Sequence, residues 1–292
     1  MRKIIVFLIC LKFQISYAQK IPKIKLKNYR VAYLSDTLRE TSGICFLENR
    51  LLTFNDGGNP NCVYEIDPQR GKILQTIKLP FPNIDWEAIA IDRDQVFIGD
   101  FGNNIGNRNN LTVYKINLKD TVVAKLAFKY KNQDQFIKQT LHHNFDCEAM
   151  IFLDKKLHLF SKEWKSKNTS HYIIDPNDLQ NNHLIEVEEK IKTNFLTTDA
   201  AYYNNKLYLV GYTKTGRCFL RVFEKDNTTG MFFRQSTAQF KLGSVLSIGQ
   251  VEGVAVNEKG IFITAEGFKK FIFCLKPSLY FIPFKELSNF AL

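Results

Sequence analysis

The chain has 292 residues, 45% of them hydrophobic and 13% aromatic, enough apolar material for a large core. Charged residues make up 24% and no low-complexity run occurs, which excludes a disordered chain. The net charge of +11 is spread along the sequence without a basic helix or nucleic-acid motif, so it speaks for solubility rather than nucleic-acid binding.

At the N-terminus, Arg2 and Lys3 precede the apolar run Ile4–Leu11, and Ser16-Tyr17-Ala18 places small residues at the −3 and −1 positions before Gln19. This is the pattern of a signal peptide over residues 1–18, leaving 19–292 as one exported domain, periplasmic or extracellular. The run is too short to span a bilayer, which takes about 20 residues, and no later segment is long and apolar enough. Bulky Leu8-Ile9 before Cys10 argue against a lipoprotein signal. Cleavage removes Arg2, Lys3 and Lys12 and lowers the net charge to +8. The remaining cysteines, Cys45, Cys62, Cys147, Cys218 and Cys274, form no C-x-x-C pair, so no zinc ribbon or redox centre is expected.

Next comes an unattached strand, Tyr29–Leu34, and then five segments of one form: a polar-to-small step, an apolar strand, a polar turn and a second strand ending in Gly or charge. They are Thr41–Phe46 with Leu51–Asp56, Trp86–Ile91 with Gln95–Asp100, Cys147–Phe152 with Leu157–Lys162, Thr198–Tyr203 with Leu207–Tyr212, and Val251–Val256 with Ile261–Glu266. Taking Ser42, Glu87, Glu148, Asp199 and Glu252 as equivalent, the steps are 45, 61, 51 and 53 residues. These lie near the roughly 40–50 residues of a four-stranded propeller blade. Third strands are expected at Cys62–Ile66, Leu111–Ile116, His171–Ile174, Arg217–Phe223 and Phe271–Leu275, and fourth strands at Ile73–Leu79 and Val122–Tyr130. The spacing predicts an all-β fold, a single propeller of about five four-stranded blades, closed by Tyr29–Leu34 completing the last one. Six blades is the alternative if the long second step hides another; otherwise Asn132–Asn144 is an insertion.

In a blade the innermost strand lines the channel and the second returns beside it. The start of one and the end of the other therefore share a face. That gathers Ser42, Glu87, Glu148, Asp199 and Glu252 with Asp56, Asp100, Lys162 or Glu163, and Glu266 at one mouth. So many carboxylates must be protonated, paired with cations or solvated. A hard divalent ion such as Ca²⁺ suits them, with Glu87, Glu148, Asp199 and Glu252 as the metal set, whereas zinc lacks a histidine at any ring position. No organic cofactor is evident. The loop Asn55–Pro60 reads as a turn, and Gly99–Arg108 is longer than a turn requires. Asp56, Asp100, Asn103, Asn104 and Arg108 are the ligand-contacting candidates, Arg108 as an anion fork. His142 and His143 could reach the same mouth; Trp86 and Trp164 are expected to pack between blades.

The steps Asp85-Trp86-Glu87-Ala88, Asp146-Cys147-Glu148-Ala149 and Val251-Glu252-Gly253, with Gly99–Asn104 after one of them, resemble the exported bacterial propellers related to the SdiA-regulated family. More distantly they are similar to the gluconolactonase and regucalcin propellers. That resemblance implies a propeller and a divalent metal held by acids at inner-strand starts. Ser42 in the first unit, and four acids where such hydrolases mix acid with Asn, depart from the pattern. The expected function is an exported propeller that binds a divalent cation and a small ligand or a surface or periplasmic protein. The alternative is a metal-dependent lactonase or esterase with Glu87 or Asp199 as base.

Overall fold

A computed structural model describes residues 21–117, 123–178, 183–234, 237–270 and 273–288; the leader expected over 1–18 lies outside them. The strands differ by position in a way that their sequences explain. Second strands such as Arg50–Asn55 and Gln95–Asp100 are buried almost throughout, because sheets pack against both of their faces, and they read as continuous apolar runs. Outer strands such as Val123–Tyr130 alternate, with one face toward a neighbouring blade and the other toward solvent.

In chain order, β1 (Arg30–Tyr33) precedes the first blade, made of β2 (Thr41–Leu47), β3 (Arg50–Asn55), β4 (Cys62–Ile66) and β5 (Ile73–Lys78). The second holds β6 (Trp86–Asp92), β7 (Gln95–Asp100), β8 (Leu111–Asn117) and β9 (Val123–Tyr130). The third starts with β10 (Cys147–Leu153), β11 (Lys156–Ser161) and β12 (Thr169–Ile174). The chain then lends β13 (His183–Ile185) to the second blade, parallel to β9, before β14 (Glu189–Ile191) completes the third. The fourth is β15 (Leu196–Tyr203), β16 (Lys206–Tyr212), β17 (Arg217–Glu224) and β18 (Thr237–Ser244). After the short helix α1 (Val245–Ile248), the fifth has β19 (Gln250–Asn257) and β20 (Gly260–Glu266). Strands β21 (Phe268–Lys270) and β22 (Phe273–Leu275) form a separate hairpin, and β23 (Ser278–Pro283) is the blade's third strand.

The result is a five-bladed propeller, so the six-bladed alternative does not hold. Residues 131–146 form a connection between the second and third blades and contribute no strand to either. The expected third strand at Phe271–Leu275 is also corrected: residues 271–272 lie outside the described set, Phe273–Leu275 belongs to the side hairpin, and the third strand is Ser278–Pro283, with Leu279 buried on one face and Tyr280 and Ile282 on the other. Closure is as the sequence implies. β1 pairs antiparallel with β23, placing an N-terminal strand on the outside of the last blade.

Five hydrophobic clusters hold the ring, one in each seam between blades. Phe54 and Val63 meet Trp86 and Ile98 between the first and second blades; Phe97 and Val113 meet Leu159 and Tyr172 in the next seam. Phe160 meets Leu209 and Phe223; Val210 and Phe240 meet Val254 and Tyr280; Leu51 and Ile66 meet Phe262 and Leu279 across the closing seam. Inner strands β2, β6, β10, β15 and β19 contact one another in sequence around the axis, so their first residues converge on one mouth.

Candidate functional site

Each inner strand carries a bulge near its start. The pairing register slips across Gly43, Glu87, Glu148, Thr198 and Glu252. A bulge leaves its extra residue outside the ladder and re-aims the side chain. In three blades that residue is a glutamate, and all three glutamates line a cavity of about 270 Å³ at the channel mouth. Asp56, Lys162 and Glu266, from the ends of the second strands, line it too, with Trp164 and Tyr212 on one side. Beyond it, residues 44–46, 89–91, 150–152, 200–202 and 254–256 line a stretch of about 140 Å³ with no carboxylate.

Asp199 does not line the mouth. The bulge residue of its blade is Thr198, whose Oγ1 donates to the Val251 carbonyl at 2.8 Å. Asp199 pairs with Val210 one rung farther along, level with Ile44, Ala88, Ala149 and Gly253. Its Oδ1 accepts the Ala200 amide at 2.8 Å, and its Oδ2 accepts those of Val254 at 2.7 Å and Ile44 at 3.4 Å. One carboxyl on the axis thus ties the fourth blade to the fifth and the first. Burial pushes its pKa well up, against the pull of those three amides.

The mouth separates into two ends. At one, carboxylate oxygens of Asp56, Asp85 and Glu87 all lie within 4.8 Å of one another. Burial raises the Asp85 carboxyl to about 7, helped by Asp56 and Asp146 and opposed by Arg108. Burial likewise lifts Glu87 well above the usual range, with Asp56, Glu148 and Asp85 adding to it. Glu87 is buried and its Oε1 has no hydrogen-bond partner among the described residues. Two glycines make room here: a side-chain carbon at position 102 would collide with Glu87 Oε1 and come within 2.6 Å of Asp85 Oδ2, and one at 57 would lie 2.6 Å from Asp85 Oδ1.

At the other end, the Lys162 ammonium lies 2.9 Å from Glu148 Oε2 and over the rings of Trp164 at 5.0 Å and Tyr212 at 5.4 Å. Burial works against this charge, but Glu148, then Tyr212 and Glu252, hold its pKa well above the ordinary lysine value. Glu252 accepts the Gln250 amide at 2.5 Å through Oε1, while its Oε2 and Glu148 Oε1 have no partner among the described residues. Burial raises Glu252 to about 7 against the pull of Lys162.

The remaining candidates lie behind these walls. Asn104 lines the cavity beside Leu141. Asp100 is buried; its Oδ1 accepts the Asp85 amide at 3.2 Å and Arg108 Nη2 at 2.7 Å. The Arg108 fork also donates to the Gly102 carbonyl at 2.7 Å, so the guanidinium braces its own loop rather than offering itself to an anion. Asn103 is similarly internal, donating through Nδ2 to the Phe145 carbonyl and through its backbone to Asp146. His143 is buried, with its ring between the Phe145 amide and the Asn104 carbonyl, and neither His142 nor His143 lines the cavity. Trp86 packs in the seam as expected. Trp164 donates to Asp146 Oδ2 at 2.7 Å and faces the mouth as well.

Two acids were missed. Asp85 and Asp146 stand two residues before bulge glutamates in the repeated Asp-x-Glu-Ala steps, so the signal was there. A buried chain in the third blade was missed too: His158 Nδ1 meets His171 Nε2 at 2.8 Å, and His171 Nδ1 meets Glu189 Oε1 at 3.1 Å. Glu189 in turn accepts the amides of Phe232 and Phe233, tying the third blade to the fourth.

Neither a protein-family description nor a curated protein matches the sequence. Among solved structures, hydrazine synthase from Kuenenia stuttgartiensis is similar at 11% identity and a TM-score of 0.41, over 79% of this chain and 56% of that one. This chain therefore spans little more than half the length of that one. A likeness that slight says nothing about chemistry. Within the described residues no helix is long and apolar enough to cross a membrane.

Proposed function

We propose that this protein is a non-catalytic, exported binding propeller whose mouth takes a hard divalent cation, Ca²⁺ first among them, between Asp56, Asp85 and Glu87. The observation that carries this is the three-carboxylate cluster, with oxygens within 4.8 Å of one another and a buried, unpartnered oxygen on Glu87. Calcium binds oxygens at roughly 2.3–2.6 Å, so two ligands of one ion stand up to about 5 Å apart, and the cluster fits. The glycines at 57 and 102 support the reading because they keep the carboxylates close without a side chain between them. The resemblance of the inner-strand motifs to metal-holding propellers is in keeping with it. A hydrolase would need a separate base, and Asp199 is engaged with three backbone amides.

Native mass spectrometry and thermal melting with Ca²⁺ and with chelator test the proposal. One bound ion and a melting point raised by Ca²⁺ are expected, both lost in Asp85→Asn. An unchanged mass and melting point at millimolar Ca²⁺ would sink it.

A further inference from the structure

We propose that the Glu148–Glu252 end of the mouth receives a lysine or arginine side chain of a protein partner, whose backbone packs against the exposed Leu141 at the rim. This rests on reading the mouth as a binding site, but not on the cation. Glu148 and Glu252 both line the cavity and are more than nine-tenths buried, and each carries one oxygen, Oε1 and Oε2 respectively, that is buried without a partner among the described residues. A buried acceptor left unpaired is costly, so a donor from outside is favoured there. The wall already accommodates one ammonium, that of Lys162, between Glu148 and the rings of Trp164 and Tyr212. Cations sit favourably within about 6 Å of such rings. Five carboxyls line the cavity against that one lysine, so an excess of acid remains even beside a divalent ion.

The surroundings choose a side chain of a protein over a free amine. At about 270 Å³ the cavity is smaller than the roughly 300–1,000 Å³ usual for free ligands, and suits one long side chain. Its lip is apolar. Leu141 lines it directly and is 40% exposed, and Ile105, 42% exposed, follows Asn104, whose carbonyl accepts the Leu141 amide. A charged anchor buried in a desolvated pocket is how binding energy concentrates at protein interfaces.

The test uses the full chain, immobilised with Ca²⁺ and separately with chelator, and a synthetic hexapeptide library sorted by its fixed central residue. Pools centred on Lys or Arg should bind and pools centred on norleucine or Glu should not. In a Trp164 fluorescence titration of the best peptide, acetylating its lysine should weaken binding at least tenfold, as should Glu252→Gln; Leu141→Ser should weaken it severalfold. If Glu252→Gln does not fold, by circular dichroism, the acetylated peptide tests the same contact from the partner's side. Binding indifferent to the central residue, no binding by any pool, or free cadaverine binding as tightly as the peptide would overturn the proposal. Asp85→Asn should abolish the Ca²⁺ response and leave peptide binding, so the two readings fail separately.

Discussion

Asp199 offers the sharpest separation between a metal ligand and a structural stitch. Replacing it by Ala leaves three buried amides, those of Ala200, Val254 and Ile44, without their acceptor. Orphaning a buried donor costs about 1–3 kcal/mol each, less for the long 3.4 Å contact, and relief from burying the carboxyl offsets part of the total. The expected loss is about 3–5 kcal/mol, or about 6–15 °C in melting temperature for a domain of this size. Asp199→Asn keeps one acceptor oxygen and turns an amide toward a donor, so about half that loss is expected. Urea unfolding followed by circular dichroism measures both, with Ca²⁺ and with chelator. A stitch loses the same stability in either buffer, whereas a metal ligand loses it only with Ca²⁺ present. A change in Asp199→Ala below about 1 kcal/mol, or one that vanishes with chelator, would refute the reasoning.

Other outcomes follow from the same geometry. Asp85 and Glu252 titrate at about 7 in the folded chain against 3.8 and 4.5 ordinarily, so the fold binds their protons more tightly than the unfolded chain does. Their contribution to stability is full below those ordinary values and is lost as pH rises through about 7; without divalent cation the urea midpoint should fall between about pH 5 and about pH 8, and Ca²⁺ should flatten the fall by taking the protons' place. His158 has the opposite sign: burial first, then His171, lowers it to about 4 from 6.5, so its contribution is present above 6.5 and lost as pH falls toward 4. His158→Phe should cost about 1–3 kcal/mol at neutral pH by orphaning the His171 nitrogen, yet lose less on acidification, as urea midpoints across that range would show. Gly102→Ala pushes a methyl into Asp85 and Glu87, and should cost about 1–3 kcal/mol and weaken Ca²⁺ binding at least tenfold by calorimetry.

The propeller was legible because its blades are local. Strand, turn and strand follow within a few residues, so hydrophobic period and repeat spacing announce them without knowledge of what they touch. Closure was legible for a similar reason: the fifth unit lacked a strand and Tyr29–Leu34 was spare. Misplacing the fifth blade's third strand at Phe271–Leu275 came from two apolar runs of similar quality competing for one slot, which pairing with Ala265 and Ile261 settles for Ser278–Pro283. β13 could not be foreseen either, since lending a strand to the preceding blade is a matter of which sheet edge lies near.

The mouth divides along the same line. By itself the sequence determined that acids recur where inner strands begin and that antiparallel return brings a second set beside them. Only the tertiary structure decided which of those acids face the cavity. A bulge inserts a single residue and leaves no compositional mark, so the sequence pointed to Asp199 where the bulge residue is Thr198, and one residue of register separates the channel mouth from a stitch on the axis. Equally, Arg108 looked free in the chain because its partners Asp100 and Gly102 come into reach only when the loop folds back. Local repetition writes the architecture into sequence, while the environment of each charge is set by neighbours from other blades.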